Sequence, residues 1–381
     1  MLKPPPAKVP FRLSASALLR AFFATDKKHL IITGSIQSGK STLLKDLITL
    51  MSSSSHANKT PFRPSPETKH SLLRSFVVRD EHPRVFLEYG ERRALIGEYS
   101  ETSEKMQLCE DGFLQLGLHA IADMKASDAP FCMIDELGFL ETACLPFQEA
   151  VTSLLIEKPC IIVLRKQDTP FLNSICTRTD AFVYDLDAPL PDIGIIIMAS
   201  GEGKRFGSNK LLYPFRGRPL ISNILEAANL PFLKRIVVTR HREIEALCEK
   251  EHIPVLLHDR PYRNHTVYLG TKYLKSEHGS LFGYMYASSD QPLMTSETIT
   301  SLSLILSAHP AAIVRPAFEN TPGNPILFGS KYCDALMTLP DKKGGSFVAK
   351  KYPEKTIFLP VADRRELIDI DTPEDLAKLE N

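Results

Sequence analysis

The chain has 381 residues, of which 43% are hydrophobic and 24% are charged, and its formal net charge is +1. This length and composition predict two globular domains, and the near-neutral charge gives no reason to expect a nucleic-acid or membrane partner. The seven cysteines are scattered without a CxxC pair, which argues against a disulfide framework or a zinc site. Because no apolar run reaches the roughly 18 residues of a bilayer span and no apolar signal core is present, we expect a cytoplasmic protein.

A leading helix and a phosphate loop come first along the chain. The first residues are rich in proline, and apolar residues at helical spacing then predict a helix before residue 27. A short strand at His29–Thr33 leads into residues 34–41, GSIQSGKS, which match GxxxxGK[ST] at every fixed position, and Thr42–Met51 is predicted as a helix. This strand–loop–helix context is the one that the P-loop motif requires.

The residues of this loop have specific predicted roles. Backbone N–H groups at the helix N-terminus would line the β-phosphate, Lys40 would bridge the β- and γ-phosphates, and the Ser41 hydroxyl would bind Mg²⁺. The predicted nucleotide-binding residues are Gly34, Ser38, Gly39, Lys40, Ser41 and Thr42.

Two adjacent acids, Asp135 and Glu136, end the apolar strand predicted at residues 130–136. In this Walker B arrangement Asp135 would hold the Mg²⁺ and its water shell, and Glu136 would orient or deprotonate the attacking water. Two acids after a strand are also common as the first turn of a helix, where the helix dipole favours them. The intact P-loop upstream favours the catalytic interpretation.

The longer phrase IDELGFLE, followed by LPFQEAVTSLLIEKPCIIVLRK, resembles the small P-loop nucleoside-triphosphatase family that is sometimes called cancer-related NTPase. The resemblance implies hydrolysis of ATP or GTP with Mg²⁺. Arg165 or Arg178 would be a charge-stabilising arginine of such a site, although a surface position is the favoured interpretation of both.

The acidic stretch DLDAPLPD, which contains two prolines, marks a domain boundary near residue 190. We therefore predict a tail and leading helix at residues 1–27, a P-loop NTPase domain at residues 28–188 and a second domain at residues 191–381.

The second domain begins with another candidate anion-binding loop. Residues 193–198 form an apolar, mostly β-branched run typical of a buried parallel strand. The loop that follows carries several glycines, which allow the backbone to approach a phosphate, and cations that would neutralise it. The glycine pattern alone is equally compatible with an ordinary turn between a strand and a helix.

The sequence of this loop, MASGEGKRFGSNKLLYPFRGRPLI, resembles the signature of the MobA-like nucleotidyltransferases, and most of all their molybdenum cofactor cytidylyltransferase branch. The resemblance implies that Arg205 and Lys210 neutralise the triphosphate of CTP. The implied nucleotide-binding residues are Ala199, Ser200, Gly201, Gly203 and Gly207. Strands and helices alternate after this loop, so the fold class is α/β, with two doubly wound domains, the second Rossmann-like and of the GT-A kind.

Three acids are the predicted metal ligands of the second domain. The segment SSDQPL resembles the family's GDQPL, in which Asp290 corresponds to the metal-binding aspartate, and DQP rather than DMP favours CTP. The alternative is that Asp290 caps a helix with Pro292 at its first position. The ending LIDIDTPEDL matches the family's DIDTPEDL; Asp369 or Asp371, on one face of a predicted strand end, would complete the Mg²⁺ shell.

The positions that depart from the family's pattern include Ser200, Asn264, Asn324 and Ser346. The favoured function is transfer of CMP from CTP to molybdopterin or the molybdenum cofactor, with a molybdenum hydroxylase as recipient of the product. Transfer from GTP, or to another phosphorylated acceptor such as a sugar phosphate, is the first alternative. The second is an NTP-driven carrier or chaperone for the cofactor, built on a degenerate transferase fold.

Overall fold

A computed structural model describes residues 13–52, 72–188, 190–201, 206 and 209–380. The chain divides into two compact units. Asp26–Pro189 form the first, here called the P-loop unit, and the residues up to Thr25 together with those from Leu190 onward form the second, the C-terminal unit. Helix α1 (Ala15–Phe23) therefore belongs to the C-terminal unit although the P-loop unit follows it in sequence.

The P-loop unit has a sheet whose strands alternate mostly with helices. Its strands are β1 (His29–Gly34), β2 (Leu72–Val78), β3 (Arg84–Tyr89), β4 (Arg92–Ser100), β5 (Lys105–Leu108), β6 (Cys132–Leu137), β7 (Cys160–Arg165) and β8 (Ala181–Asp185). Its helices are α2 (Lys40–Ser52), α3 (Glu110–Gly112), which continues through a π-helical turn (Phe113–Gly117) into α4 (Leu118–Ala126), and then α5 (Phe139–Ala143), α6 (Leu145–Glu157) and α7 (Pro170–Cys176).

The strand order of this sheet is β5-β4-β3-β2-β6-β7-β1-β8. Strands β2, β6, β7, β1 and β8 are parallel to one another, and β3 to β5 extend the sheet as an antiparallel meander. All six residues of β1 are buried, as expected for a parallel strand covered on both faces. The carboxyl ends of β6, β7 and β1 therefore lie side by side, and β1 leads directly into the phosphate loop.

The C-terminal unit also has a sheet with helices between its strands. Its strands are β9 (Ile193–Ala199), β10 (Pro214–Phe215), β11 (Arg218–Pro219), β12 (Leu233–Thr239), β13 (Val255–Leu257), β14 (Gly283–Ser288), β15 (Ile313–Phe318), β16 (Thr321–Pro322), β17 (Ile326–Gly329) and β18 (Thr356–Pro360). Its helices after α1 are α8 (Ile221–Ala227), α9 (Arg242–Lys250), α10 (Arg263–His278), α11 (Ser296–Ala308), α12 (Cys333–Met337), α13 (Gly345–Ala349) and α14 (Pro373–Glu380).

Strand β9 lies inside this second sheet, whose order is β13-β12-β9-β14-β17-β15-β16, with β18 beside β15. Because β12, β9 and β14 are parallel, the loop after β9 and the loop after β14 emerge at the same edge. Both units are thus α/β, as the sequence predicts, and both sheets also contain antiparallel strands. No helix within the described ranges is long and apolar enough to cross a lipid bilayer.

Helix α1 packs on α11 in the C-terminal unit. Arg20 forms an ion pair with Glu297, with 3.3 Å between Nη1 and Oε1, and the Ser301 hydroxyl donates to the carbonyl of Ala17 at 3.1 Å. Leu18 and Phe22 on the same helix are buried. The amphipathic pattern that predicted this helix therefore reflects a contact with residues nearly three hundred positions away.

We predict that His29 makes the stability of the P-loop unit depend on pH. Its side chain is fully buried, its Nδ1 accepts the N–H of Cys160 at 3.2 Å, and burial lowers its pKa to about 4. Because the unfolded chain binds this proton near pH 6.5, the free energy of unfolding should fall as the pH drops from about 6.5 to about 4.

The measurement is denaturant unfolding of wild type and His29→Gln across that pH range, with the exposed His82→Gln as matched control. The pH dependence should be shallower in His29→Gln than in either other protein. Equal slopes in all three proteins would contradict the prediction.

Candidate functional sites

The phosphate loop of the P-loop unit has a backbone that its glycines make possible. Gly39 has a φ of +97°, a conformation that side chains disfavour. Gly34, at the end of β1, has a φ of +153°, and a Cβ there would lie 2.7 Å from the Ser38 hydroxyl oxygen. The loop can therefore close tightly before α2 begins at Lys40.

Lys40 is 6% exposed, and its ammonium donates to the carbonyls of Gly34 and Ser35 at 2.9 and 2.7 Å. Burial lowers the pKa of this ammonium, with opposing contributions from nearby acids. Asp187, after β8, accepts the backbone N–H and the hydroxyl of Ser35 at 2.7 and 2.9 Å. The cation at the centre of the loop is thus held by neutral carbonyls, and its charge remains available to a phosphate.

Asp135 and Ser41 lie together beside this loop. The Ser41 hydroxyl donates to Asp135 Oδ1 at 3.0 Å, and Arg74 Nε lies 3.6 Å from Oδ2. Asp135 is buried, and this burial raises its pKa. A hydroxyl and a carboxylate oxygen at this distance fit a Mg²⁺ ion that takes its other ligands from phosphate and water.

Glu136 contacts Arg165, whose Nε donates to Glu136 Oε1. Arg165 was interpreted from the sequence as a surface residue, but its side chain is 25% exposed and lies against the proposed base. Arg178 instead forms a two-point ion pair with Asp180, both distances being 2.8 Å. Asp180 lies before β8, at the opposite end of the strands from the loop, so Arg178 is not part of this site.

The C-terminal unit contains a cavity of about 440 Å³ at the edge where β9 and β14 end. Ser200 and Gly201 reach it from β9, and Ser288, Ser289 and Asp290 reach it from β14. Its lining also includes six cations: Lys210, Arg240, Arg263, Lys342, Lys343 and Lys350. Such an excess of positive charge suits a ligand with several phosphate groups.

Lys210 is 7% exposed and lies between carboxylates. Its ammonium donates to Asp290 Oδ2 at 2.7 Å, to the carbonyl of Ile370 at 2.7 Å and to Asp371 Oδ1 at 3.3 Å. The sequence predicted this lysine on the triphosphate. In the structure a phosphate would have to compete with Asp290 for it, because a buried ammonium needs an acceptor for each of its protons.

Asp369 and Asp371 do not lie on a strand, contrary to the sequence prediction. Residues 368–371 form a connection before α14 that is held to the β14 loop by the N–H of Ile370, which donates to the carbonyl of Asp290 at 2.9 Å. Asp369 is exposed at the surface, yet neighbouring protein atoms partly desolvate its carboxyl group. This desolvation, followed by repulsion from Asp290, raises the pKa of Asp369 to about 6.

The acids of the C-terminal unit fit a magnesium ion that is bound together with a nucleotide. Within the ranges described, no three or more His, Cys, Asp or Glu side chains are grouped to hold a metal. Mg²⁺ in nucleotide sites is usually bound through one or two carboxylates plus phosphate oxygens, rather than by a complete protein cage. A cation placed beside Asp290 and Asp369 would relieve the repulsion that helps to raise the pKa of Asp369.

The remaining predicted residues of this loop divide into two groups. Ala199, Ser200 and Gly201 lie at the end of β9, where Ser200 Oγ is 2.8 Å from His258 Nε2 and donates to the carbonyl of Val238 at 3.2 Å. Gly203, Arg205 and Gly207 lie outside the described residues.

Three residues that depart from the family pattern, Asn264, Asn324 and Ser346, line or border the cavity. Asn264, in the first turn of α10, donates to Asp341 at 3.2 Å, and Asn324 and Ser346 belong to the lining. The sequence did not indicate His258 or Lys350 as neighbours of this site. For Lys342 and Lys343, which also line the cavity, the segment DKKGG was the available signal, since a cationic, glycine-containing loop is suited to phosphate.

Comparisons with known proteins match one family model to each of the two halves of the chain. Residues 29–190 match the family model described as NTPase, and residues 195–356 match the model described as MobA-like NTP transferase domain.

Individual relatives match parts of the chain. The chain is 30% identical over 103 residues to a probable molybdenum cofactor guanylyltransferase of Aquifex aeolicus (strain VF5), which covers 27% of the chain and about half, 48%, of that protein. It is 24% identical over 209 residues to nicotine blue oxidoreductase of Paenarthrobacter nicotinovorans, which covers 51% of the chain and 98% of that protein.

A solved structure of a nucleotidyl transferase from Methanothermobacter thermautotroptrophicus is similar at a TM-score of 0.41 and 18% identity, over 49% of this chain and 95% of that one. The chain thus matches the NTPase family model over residues 29–190 and the MobA-like NTP transferase model over residues 195–356.

Proposed function

We propose that the C-terminal unit transfers CMP from CTP to the terminal phosphate of molybdopterin, or of its molybdenum-bound form, and releases pyrophosphate. The observation that carries the proposal is the contact of Lys210 with Asp290, which joins the loop after β9 to the loop after β14 inside a cationic cavity. A nucleotidyltransferase needs a carboxylate and a cation at this junction.

In this reaction an oxygen of the acceptor phosphate attacks the α-phosphorus, and the bond between that phosphorus and the bridging oxygen breaks. Asp290, with Asp369 or Asp371, would hold Mg²⁺, which neutralises charge that develops on the α-phosphate. Lys210 and Arg205 would neutralise the triphosphate, and the backbone of residues 201–207 would enclose it. No covalent nucleophile is needed, because positioning and charge neutralisation supply the catalysis.

The choice between CTP and GTP rests on two different observations. The DQP sequence at residues 290–292 favours CTP. The similarity to the Aquifex aeolicus protein, a probable molybdenum cofactor guanylyltransferase, favours GTP as the alternative donor. A molybdenum hydroxylase is the proposed recipient of the product.

We further propose that the P-loop unit hydrolyses ATP or GTP. Lys40 would bind the β- and γ-phosphates, Ser41 and Asp135 would hold Mg²⁺, and Glu136 would orient the attacking water. The hydrogen bond between Ser41 and Asp135 and the carbonyl-held ammonium of Lys40 support this proposal.

The first prediction of this proposal concerns the product that the C-terminal unit forms. Purified protein incubated with molybdopterin, Mg²⁺ and each NTP in turn should convert the pterin to its CMP adduct with CTP, as measured by mass spectrometry. A GMP adduct formed from GTP alone would assign the alternative donor. Absence of any adduct, with hydrolysis of NTP intact, would favour the carrier interpretation.

Separate substitutions should divide the two activities. Asp290→Asn should lower nucleotidyl transfer by about 10²- to 10³-fold, the usual loss when a transition-state contact is removed, and leave NTP hydrolysis unchanged. Lys40→Met should lower NTP hydrolysis and leave nucleotidyl transfer unchanged. Initial rates of both reactions in both variants are the measurement; loss of transfer in Lys40→Met alone would show that the P-loop drives the chemistry of the other unit.

The third prediction concerns the metal of the P-loop unit. Asp135→Asn should raise the Mg²⁺ concentration for half-maximal NTP hydrolysis by about 10- to 100-fold, the range found when partners of a bound metal are removed. Ser41→Ala should act in the same direction, and the exposed Asp123→Asn is the matched control. A Mg²⁺ requirement identical in all four proteins would contradict the assignment.

A further inference from the structure

The ion pair of Glu136 and Arg165 lies at a specific place in the sheet. Glu136 is on β6 and Arg165 ends β7, and β7 lies between β6 and β1. In the pairing of β1 with β7, Arg165 is opposite Gly34, the first residue of the phosphate loop. The guanidinium therefore starts from the strand between the proposed base and the loop that would hold a triphosphate.

The backbone at Glu136 is irregular in a way that redirects its side chain. Glu136 has a φ of 81°, which is rare for a residue with a side chain. The pairing of β6 with β7 also shifts register between Ile134 and Leu137. A bulge of this kind re-aims a side chain and is common beside active sites.

Glu141 stabilises this irregular segment from behind. Its side chain is 4% exposed and accepts the N–H of Gly138 and the hydroxyl of Ser75, both at 2.8 Å. The Ser75 hydroxyl also lies 3.3 Å from the carbonyl oxygen of Glu136. These contacts hold the backbone of the proposed base while its carboxylate contacts Arg165.

Space around the pair is also built into the fold. A Cβ at Gly138 would lie 2.9 Å from Cδ of Arg165, so glycine there leaves room for the arginine side chain. A cavity of about 90 Å³ is lined by Glu136, Gly138 and Arg165 together with apolar side chains. The pair therefore borders open space rather than close-packed side chains.

We propose that Arg165 binds the γ-phosphate of a bound nucleotide and thereby releases Glu136, so that it distinguishes a bound triphosphate from a diphosphate. The inference rests on the proposed NTP hydrolysis by this unit. A γ-phosphate carries more negative charge than a carboxylate, and a guanidinium binds phosphate oxygens in the same two-point geometry. The γ-phosphate thus competes with Glu136 for Arg165, and the carboxylate is released towards the attacking water.

In the step that follows, the water oxygen bonds to the γ-phosphorus and the bond to the β–γ bridging oxygen breaks. Glu136 accepts the proton that the water loses, and the nucleoside diphosphate leaves with the bridging oxygen. A nucleoside diphosphate offers no γ-phosphate, so in its complex Arg165 stays paired with Glu136.

The test uses the full chain with Arg165→Ala, Arg165→Lys, Glu136→Gln, the double variant Glu136→Gln/Arg165→Ala, and Arg84→Ala as control. Arg84 is an arginine of the same unit that pairs with Asp80 at 2.6 Å on β3. For each protein, kcat and KM of ATP and GTP hydrolysis are measured, and equilibrium binding of the diphosphate and of a non-hydrolysable triphosphate is measured by fluorescence.

We expect kcat to fall by about 10²-fold in Arg165→Ala, as for loss of one transition-state contact, and by less in Arg165→Lys. Triphosphate affinity should fall about tenfold or more, whereas diphosphate affinity should stay within about twofold. The double variant should be no more than about threefold slower than Glu136→Gln, because the two residues act as a unit. Retained diphosphate binding shows that a variant is folded.

Three outcomes would overturn the inference. A kcat in both Arg165 variants equal to that of Arg84→Ala would remove Arg165 from the reaction. Equal losses of diphosphate and triphosphate affinity would give it a structural role only. If the wild-type protein binds the diphosphate and the triphosphate but hydrolyses neither ATP nor GTP, the proposed hydrolysis is refuted, and the inference with it. If the wild-type protein hydrolyses them and the variants are unaffected, the inference alone is refuted.

Discussion

A buried ammonium that needs hydrogen-bond acceptors organises each of the two sites. Burying an unpaired charge is costly, so Lys40 and Lys210 each require partners at close range. Lys40 takes the carbonyls of Gly34 and Ser35, which requires the P-loop to turn back on itself. Lys210 takes Asp290 and the carbonyl of Ile370, which ties three distant segments of the C-terminal unit together.

The two lysines differ in the charge of their partners, and this difference has chemical consequences. Because the hydrogen-bond partners of the Lys40 ammonium are carbonyls, a phosphate can bind it without displacing a bonded anion. Carboxylates compensate Lys210 in advance, so a triphosphate must either displace Asp290 or approach with a cation that takes the carboxylate over. In the proposed reaction, phosphate binding by the C-terminal unit would therefore depend on a divalent cation and on the other basic residues of its cavity.

The acids of the P-loop unit, like the two lysines, have close polar partners. Asp135 shares a hydrogen bond with Ser41, and Glu136 contacts Arg165, so each acid has a defined partner at the carboxyl ends of the parallel strands. The irregular backbone at Glu136 is compatible with a stable fold because the buried Glu141 holds the adjacent turn. Strain of this kind is retained where the surrounding structure enforces it.

The P-loop unit interrupts the C-terminal unit in the sequence. The N-terminal helix α1 packs in the C-terminal unit, and the P-loop unit is inserted between this helix and β9. Arg20 and Glu297 make the contact that joins the start of the chain to α11. Removing residues before the P-loop would therefore expose a face of the other unit.

Local sequence alone determined the features that depend on neighbouring residues. The strand, loop and helix around Lys40, the strand before Ser200 and the acids at Asp135 and Asp290 follow from hydrophobic runs, glycines and motif spacing, which act over a few residues. Both family resemblances also followed from such short phrases and are confirmed by the matched residues 29–190 and 195–356.

Tertiary structure alone decided which of these groups touch. Lys210 contacts Asp290 across 80 residues of sequence and Ile370 across 160, and Arg165 reaches Glu136 from a neighbouring strand. The segment with Asp369 was predicted as a strand end, but its hydrogen bond to the Asp290 loop holds it outside the sheet. Such contacts are set by strand order and by the need to pair buried charges, neither of which leaves a local pattern in the sequence.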